Sequence, residues 1–326
     1  MTETSRNPDA YPALIADIGG TNARFALMQE DGSYVSKVLQ CADYRDVIGA
    51  ARAFLETVDE KPRHGAFCVA TAVTGDRVSL TNNSWSFSIE DVRQALELGT
   101  LQVVNDFTAV AMSMPFLQEK DRRQIGGGRP LEGAPVAVVG PGTGLGVSGL
   151  VPFRGRWISL AGEGGHATFS PATEREAAIT ARLRRRFDHV SFERVLSGMG
   201  LVNLYEGINE IDGHVRPHYK PHEITEQALA GADPAAREAL ELFCSILGNV
   251  AGNVALTLGA RGGVFIGGGI PPRLGSFLDD SPFRARFVSK GRLSYFLEPI
   301  PTYLITHELP AFVGLRGLLE QGPDQG

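Results

Sequence analysis

The stretch LQVVNDFTAV, Leu101–Val110, begins as a core strand, because Leu101, Val103 and Val104 are apolar and both valines are β-branched. It then meets an amide and a carboxylate, Asn105 and Asp106, before apolar residues resume. A carboxylate at such a place must find partners, shift its pKa or stand at an opening. Either Asp106 caps a helix over FTAVAM by accepting backbone N–H bonds, or the pair is presented at a strand end for chemistry. A second candidate is LAGEGGHATF, where Glu163 and His166 lie amid three glycines. Side chains leaving so flexible a backbone can converge on one small polar ligand, and a planar acceptor suits two adjacent hydroxyls of a sugar. A solvated loop with incidental charges is the plainer alternative. Glu193 precedes an apolar run in SFERVLSGMGLVNLY, where a helix start or an ion pair with Arg194 is the simpler account.

Three glycine turns, each after an apolar strand, could hold phosphate or nucleotide. Gly19, Gly20, Thr21 and Asn22 follow a strand that carries Asp17. Glycine lets backbone N–H groups approach an anion closely. Asp17 would repel a bare phosphate, so its functional reading requires Mg2+ between them, reached through water. The alternative is an ordinary hairpin turn with a polar strand end. The second turn is GPGTGLG, with Gly142, Thr143 and Gly144 at its centre. Residues 144–149 match G-x-G-x-x-G, but that fingerprint must open a helix. The residues that follow here alternate like a strand and turn at Gly155. No Gly-Lys-Ser/Thr occurs in either turn, so neither is a Walker loop. The third turn, Gly267, Gly268 and Gly269 after GVFI, offers bare backbone against which an adenosine can lie.

The elements that must carry these residues follow an α/β order. ALIADI, ARFALM and YVSKVLQC read as strands, with Asp31-Gly32 as a hairpin signal. A helix near RDVIGAARAFLETV, a strand in GAFCVATAV, a short strand RVSLTN and a helix SIEDVRQAL capped by Ser88 come next. After LQVVND and its helix, APVAVVG, VSGLVPF and RWISLAG return as strands; helices then dominate until GGVFI, IPTYLIT and a terminal helix PAFVGLRGLLEQ. This order predicts mixed sheets. The similarity of IADIGGTNARFAL to AVVGPGTGLGVSGL suggests two related lobes.

Composition narrows the class. The 326 residues are 43% apolar and 21% charged, with net charge −6 and pI near 5.7, which disfavours nucleic-acid binding. The run Arg182, Arg184, Arg185 and Arg186 reads as a solvated helix face balanced by Glu174 and Glu176. His214, His218 and His222 are spaced by four, but Pro217 and Pro221 interrupt any metal-binding helix. Cys41, Cys68 and Cys244 form no CxxC pair, and Cys68 and Cys244 read as small core residues in a reducing compartment. Residues 1–10 read as a polar disordered tail without a signal peptide's apolar stretch, and no segment approaches a membrane span of roughly 20 apolar residues. The expectation is a cytoplasmic protein.

With these residues in view, the chain resembles the ATP-dependent bacterial glucokinase family, of the enteric-bacterial type. The motifs are ADIGGTNARFAL, TNNSWSF, VVNDFTAVAM, GPGTGLGVSGLV, AGEGGHATFSP, ERVLSGMGLVNLY and GGVFIGGGIPPR, in family order across nearly the whole chain. The resemblance implies an α/β, two-lobed actin-like ATPase (ribonuclease H-like) fold with mixed sheets and an interlobe cleft. It implies a small domain over 11–115 plus 307–326 and a large domain over 116–306. It implies phosphorylation of D-glucose at O6 by ATP with Mg2+, usually by a homodimer; composition already predicts neither nucleic acid nor membrane as partner. By motif position, Asp106 matches the catalytic base, and Asn105, Glu163, His166 and Glu193 match the glucose ligands. Gly19–Asn22 and Gly142–Gly144 match the phosphate loops, Gly268–Gly269 the adenosine turn, and Asp17 is placed near the metal. Ala72 stands where the family often has proline, which would leave that turn less stiff. The cysteine-rich zinc motif and the helix-turn-helix extension of related repressor–kinases have no counterpart in this sequence. The alternatives are a kinase for mannose, fructose or N-acetylglucosamine on the same scaffold, and a non-enzymatic nucleotide-dependent switch.

Overall fold

The computed structural model describes residues 10–81, 83–215 and 217–322. Of the expected disordered tail over 1–10, only Ala10 is among them, and it is buried; Asn82 of the TNNSWSF motif lies outside the described residues. The chain divides into two compact units. The first runs to Gln118 and takes in Pro152–Ala161 and the stretch from His307; the second comprises Glu119–Val151 and Gly162–Thr306. The stretch Pro152–Ala161 thus falls in the first unit, whereas the sequence-based division keeps 116–306 together.

The first unit opens with β1 (Ala13–Ile18), β2 (Asn22–Met28) and β3 (Tyr34–Gln40), followed by α1 (Val47–Leu55) and β4 (His64–Val69). A hairpin of β5 (Arg77–Ser79) and β6 (Ser86–Ser88), then α2 (Ile89–Ala95), β7 (Leu101–Asn105) and α3 (Asp106–Ser113), follow. The sheet order is β3-β2-β1-β4-β7; β1, β2 and β3 run antiparallel, while β1, β4 and β7 are parallel. Alternation along β1 decides what each face covers. Leu14, Ala16 and Ile18 join Phe25, Phe67 and Phe54 of α1 in one core, and Ala13 and Ile15 join Ala66, Cys68 and Ala109 of α3 in another. Asp17 shares the parity of Ala13 and Ile15, so its side chain belongs to the face that α3 covers.

The second unit contains β8 (Arg122–Gly126), β9 (Val136–Pro141) and most of β10 (Leu145–Phe153). After β11 (Arg156–Ala161), it continues with α4 (Glu174–Leu183), α5 (Gly198–Asp212), α6 (Pro221–Leu229) and α7 (Pro234–Leu258). It closes with β12 (Val264–Ile266), α8 (Phe277–Asp280), α9 (Phe283–Val288), α10 (Ser294–Leu297) and β13 (Thr302–Ile305). Within the unit the strand order is β10-β9-β12-β13-β8, again mixed: β9, β12 and β13 are parallel, while β10 is antiparallel to β9 and β8 to β13. The chain then enters α11 (Pro310–Gln321) of the first unit, where a Cβ on Gly314 would lie 1.7 Å from the Ala109 carbonyl oxygen. Only glycine permits α11 to cross α3 so closely, and this contact seats the helix that starts at Asp106.

Two expectations need correction, and one strand escapes the sequence pattern. The 25-residue α7 reaches a mean hydropathy of 1.5, long and apolar enough by length and composition to cross a membrane, contrary to the reading that no segment approaches a span. Its Phe243, Cys244, Leu247 and Ala251 are buried in the core of the second unit, and α9 lies against Gly248 and Gly252. The arginine run is not balanced by Glu174 and Glu176. Arg186 pairs with Glu206 at 2.9 Å and Arg182 with Glu210 at 3.5 Å, both on α5, while Glu176 is buried and pairs with Arg286. The edge strand β8, RRQIG, has no alternation to betray it; it pairs with β13, 176 residues away at Gly126–Thr302, through a bulge.

Candidate functional site

In the first unit the candidate residues stand at the C-terminal ends of three adjacent parallel strands. Asp17 is level with Cys68, Cys68 with Val104, and Val69 with Asn105. The Cys68 thiol is buried and donates to Asp17 Oδ1 at 3.5 Å. Burial raises the Asp17 carboxyl above the usual carboxylate range, with the thiol bond and the Arg24 charge acting the other way. The Cys68 thiol is pushed well up by burial first, then by the negative charges of Asp17 and Asp106. Two negative side chains, Asp17 and Asp106, thus act together on one desolvated thiol, and both keep it in its neutral form.

The helix cap differs from the sequence expectation. Asn105, not Asp106, caps α3: its side-chain oxygen accepts from Phe107 N at 2.9 Å and Thr108 N at 3.3 Å. Its amide nitrogen donates to the Thr71 carbonyl at 3.2 Å. The second bond ties the β7 end to the segment that follows β4, and so steadies the exposed turn at Ala72. Asp106 is the first residue of the helix, and its Oδ1 accepts from Phe107 N at 2.7 Å. A carboxylate at this position faces the positive end of the helix dipole.

The first glycine turn closes with Gly19 N donating to the Asn22 carbonyl at 2.9 Å, and Cys41 N donating to the Thr21 carbonyl at 2.9 Å. Thr21 and Asn22 are exposed, and Gln40 donates to the Asn22 side-chain oxygen at 2.7 Å. The turn joins β1 to β2 as a hairpin, so its backbone follows directly from Asp17 at the strand end.

In the second unit, backbone stacks on backbone. Gly268 has φ +81, and a Cβ there would lie 2.3 Å from the Pro141 carbonyl oxygen. Gly267 N donates to the Val139 carbonyl at 3.0 Å, so the third glycine turn rests on the strand that leads into the second. Gly142 N donates to the Gly144 carbonyl at 2.8 Å, and Gly198 N, at the start of α5, donates to the Gly142 carbonyl at 2.8 Å. Thr143, Gly268 and Gly269 are exposed. Beyond the turn lies the nine-residue strand β10, so the G-x-G-x-x-G match does not open a helix.

Glu163 and His166 flank a single 3-10 turn, and both are exposed. The turn is pressed on β10: a Cβ on Gly165 would lie 2.0 Å from the Leu145 carbonyl oxygen. Phe192 N donates to the Ala167 carbonyl at 2.9 Å, joining this turn to the one that carries Glu193. Glu193 Oε2 accepts from Leu145 N at 2.9 Å and so touches the second glycine turn. Its neighbour Arg194 stacks over the Phe187 ring at 4.0 Å. Sequence reasoning singled out Glu193 but not its partner, since 48 residues separate them. It also passed over Cys68 as the neighbour of Asp17, which parallel pairing alone reveals. The capping role of Asn105 did carry a signal, because asparagine caps helices as well as aspartate does.

A family model described as Glucokinase matches residues 14–322. The glucokinase of Paramagnetospirillum magneticum is 54% identical over 310 residues, covering 94% of this chain and 97% of that protein. The glucokinase of Chromobacterium violaceum is 50% identical over 315 residues, covering 96% and 90%. The crystal structure of a glucokinase from an Antarctic psychrotroph superposes with a TM-score of 0.88 at 36% identity, covering 95% of this chain and 99% of that one. Together with these relatives, the two α/β units with mixed sheets identify an ATP-dependent hexose kinase. Within that class, the chain belongs to the glucokinase family.

Proposed function

We propose a division of labour between the two units in the phosphorylation of glucose by ATP. Asp106 accepts the proton of the sugar 6-hydroxyl as that oxygen attacks the γ-phosphorus; the bond from phosphorus to the bridging oxygen breaks, leaving glucose 6-phosphate and ADP. Phosphoryl transfer needs little covalent help, so placing the hydroxyl and stabilising charge account for most of the rate. The observation that carries the reading is the cap at Asn105. With Asn105 as the cap, Asp106 stands as the first residue of α3, directly after the end of β7, and its Oδ1 accepts from Phe107 N.

Asn105 holds the sugar by its amide. Its oxygen is committed to two backbone N–H groups, so only the second N–H of the amide remains to meet a sugar oxygen. Glu163, His166 and Glu193 accept or donate at the other hydroxyls. Gly19–Asn22 and Gly142–Gly144 hold phosphate, and Gly268–Gly269 the adenosine. Mg2+ arrives with ATP as part of the substrate and offsets charge on the phosphates. Asp17 fits it through water, since a carboxylate made costly by burial gains most from a nearby cation. The first unit is then the small domain and the second the large domain of an actin-like ATPase (ribonuclease H-like) fold. Family membership supports a cytoplasmic homodimer.

The test is ADP release by the purified chain with ATP and Mg2+ over a panel of glucose, mannose, fructose and N-acetylglucosamine. Glucose is expected to give the highest kcat/KM. A higher value for another hexose overturns the glucose assignment, and no sugar-stimulated release overturns the kinase reading.

A further inference from the structure

The segment 193–198 holds the second glycine turn at both ends. At one end the Glu193 carboxylate accepts from Leu145 N at 2.9 Å. At the other, Gly198 N donates to the Gly142 carbonyl at 2.8 Å. The grip is close: a Cβ on Gly144 would lie 2.5 Å from Glu193 Oε2. Glu193 is itself fixed from behind, because its carbonyl accepts from the Ser197 hydroxyl at 2.9 Å, and Ser197 caps α5 through Gly200 N at 2.9 Å. A Cβ on Gly200 would come within 3.0 Å of the same carbonyl oxygen. Glycine at 144 and 200 is therefore what allows one carboxylate to reach the backbone of a phosphate-type turn while its own backbone abuts a helix start.

From this arrangement we infer that Glu193 is a positioning residue for the nucleotide loop, and that it couples sugar binding to nucleotide binding. The coupling rests on the assignment of Glu193 as a sugar ligand; the positioning does not. The carboxylate has two oxygens. Oε2 orders the Leu145 N–H, and Oε1 is the oxygen that meets a sugar hydroxyl. A sugar bound at Oε1 fixes the rotamer that Oε2 needs, so the loop is already ordered when the nucleotide arrives and its affinity rises. By linkage the nucleotide raises sugar affinity by the same factor.

The experiment is calorimetry of the Mg2+ complex of AMP-PNP with the full chain, without sugar and with saturating glucose, in wild type, Glu193→Gln and Glu193→Ala. Wild type is expected to bind AMP-PNP about fivefold or more tightly with glucose, within the usual span of coupling factors. Without any sugar, Glu193→Ala is expected to bind AMP-PNP about five- to tenfold more weakly, the range for one lost hydrogen bond. Glu193→Gln, whose amide oxygen still accepts from Leu145 N, is expected to stay within about twofold of wild type. Unchanged sugar-free affinity in Glu193→Ala overturns the positioning role, as does an equal loss in both variants. Glucose affinity is measured in the same samples. If it falls in the alanine variant while sugar-free nucleotide affinity holds, the sugar assignment stands and this inference fails. If nucleotide affinity falls and glucose affinity does not, positioning stands and the coupling fails.

Discussion

The two units shape the surroundings of their glycine turns by different means. In the first unit charge is set beside the turn: Asp17 is the penultimate residue of β1, Asp106 starts α3, and a buried thiol donates to Asp17. In the second, steric necessity shapes the turn. Added Cβ atoms at Gly165 and Gly268 would stand 2.0 and 2.3 Å from backbone oxygens. The first unit thus keeps groups whose ionisation costs stability, and the second keeps a shape that only glycine can complete. Charge can be exchanged without moving the backbone, whereas shape cannot. Substitutions in the two units should therefore fail in different ways.

The sharpest break is Asp106→Asn. Asparagine at the first helical position can still accept from Phe107 N, so the fold and glucose binding are expected to persist. Turnover should drop by ~10²-fold or more, the lower end of general-base contributions. Near-wild-type kcat from a purified, folded variant would remove Asp106 from the chemistry.

Glu163→Gln comes next and tests whether the second unit also depends on charge. Loss of one charge-assisted bond should weaken glucose by about 1.5–3 kcal/mol, with the melting temperature unchanged because the side chain is exposed. Equal dissociation constants for glucose in the two proteins would confine the role of charge to the first unit.

Gly268→Ala tests shape. The residue has φ +81 and no room toward Pro141, so a loss of about 1–3 kcal/mol in stability is expected, as for other overpacked sites. KM for ATP should rise while glucose affinity stays within about twofold, since the turn rests on β9 rather than on the sugar turn. A variant with wild-type stability and KM would show the contact to be slack.

The smallest effect has the opposite sign. Burial raises the folded pKa of Asp17 above its unfolded value, so the folded chain holds the proton more tightly. The stabilisation from this proton is full below the unfolded pKa and is lost as pH rises through the folded one. At neutral pH the charged carboxylate is therefore a burden, and Asp17→Asn should raise the melting temperature of the ligand-free protein. The gain should shrink as pH falls below the ordinary carboxylate range, while turnover with ATP and Mg2+ decreases. A melting difference that stays constant from acid to neutral pH would show that desolvation of Asp17 is not its source.

Much of this comparison is already written along the chain. Alternation in ALIADI and APVAVVG, the glycines after each strand, and the Asn105-Asp106 pair mark where the strands end and where chemistry is placed, because period and turn chemistry act over a few residues. The motif order likewise identifies the family. Tertiary structure alone decided what those residues touch. It gave the α3 cap to Asn105, tied Thr71 to it, put Cys68 beside Asp17, handed the arginine run to Glu206 and Glu210, and brought Glu193 to Leu145. Most of these partners are tens of residues apart in sequence and meet only through sheet register and helix packing. A side chain's direction can be read from its local period, but its partner is fixed by whichever backbone the rest of the fold sets against it.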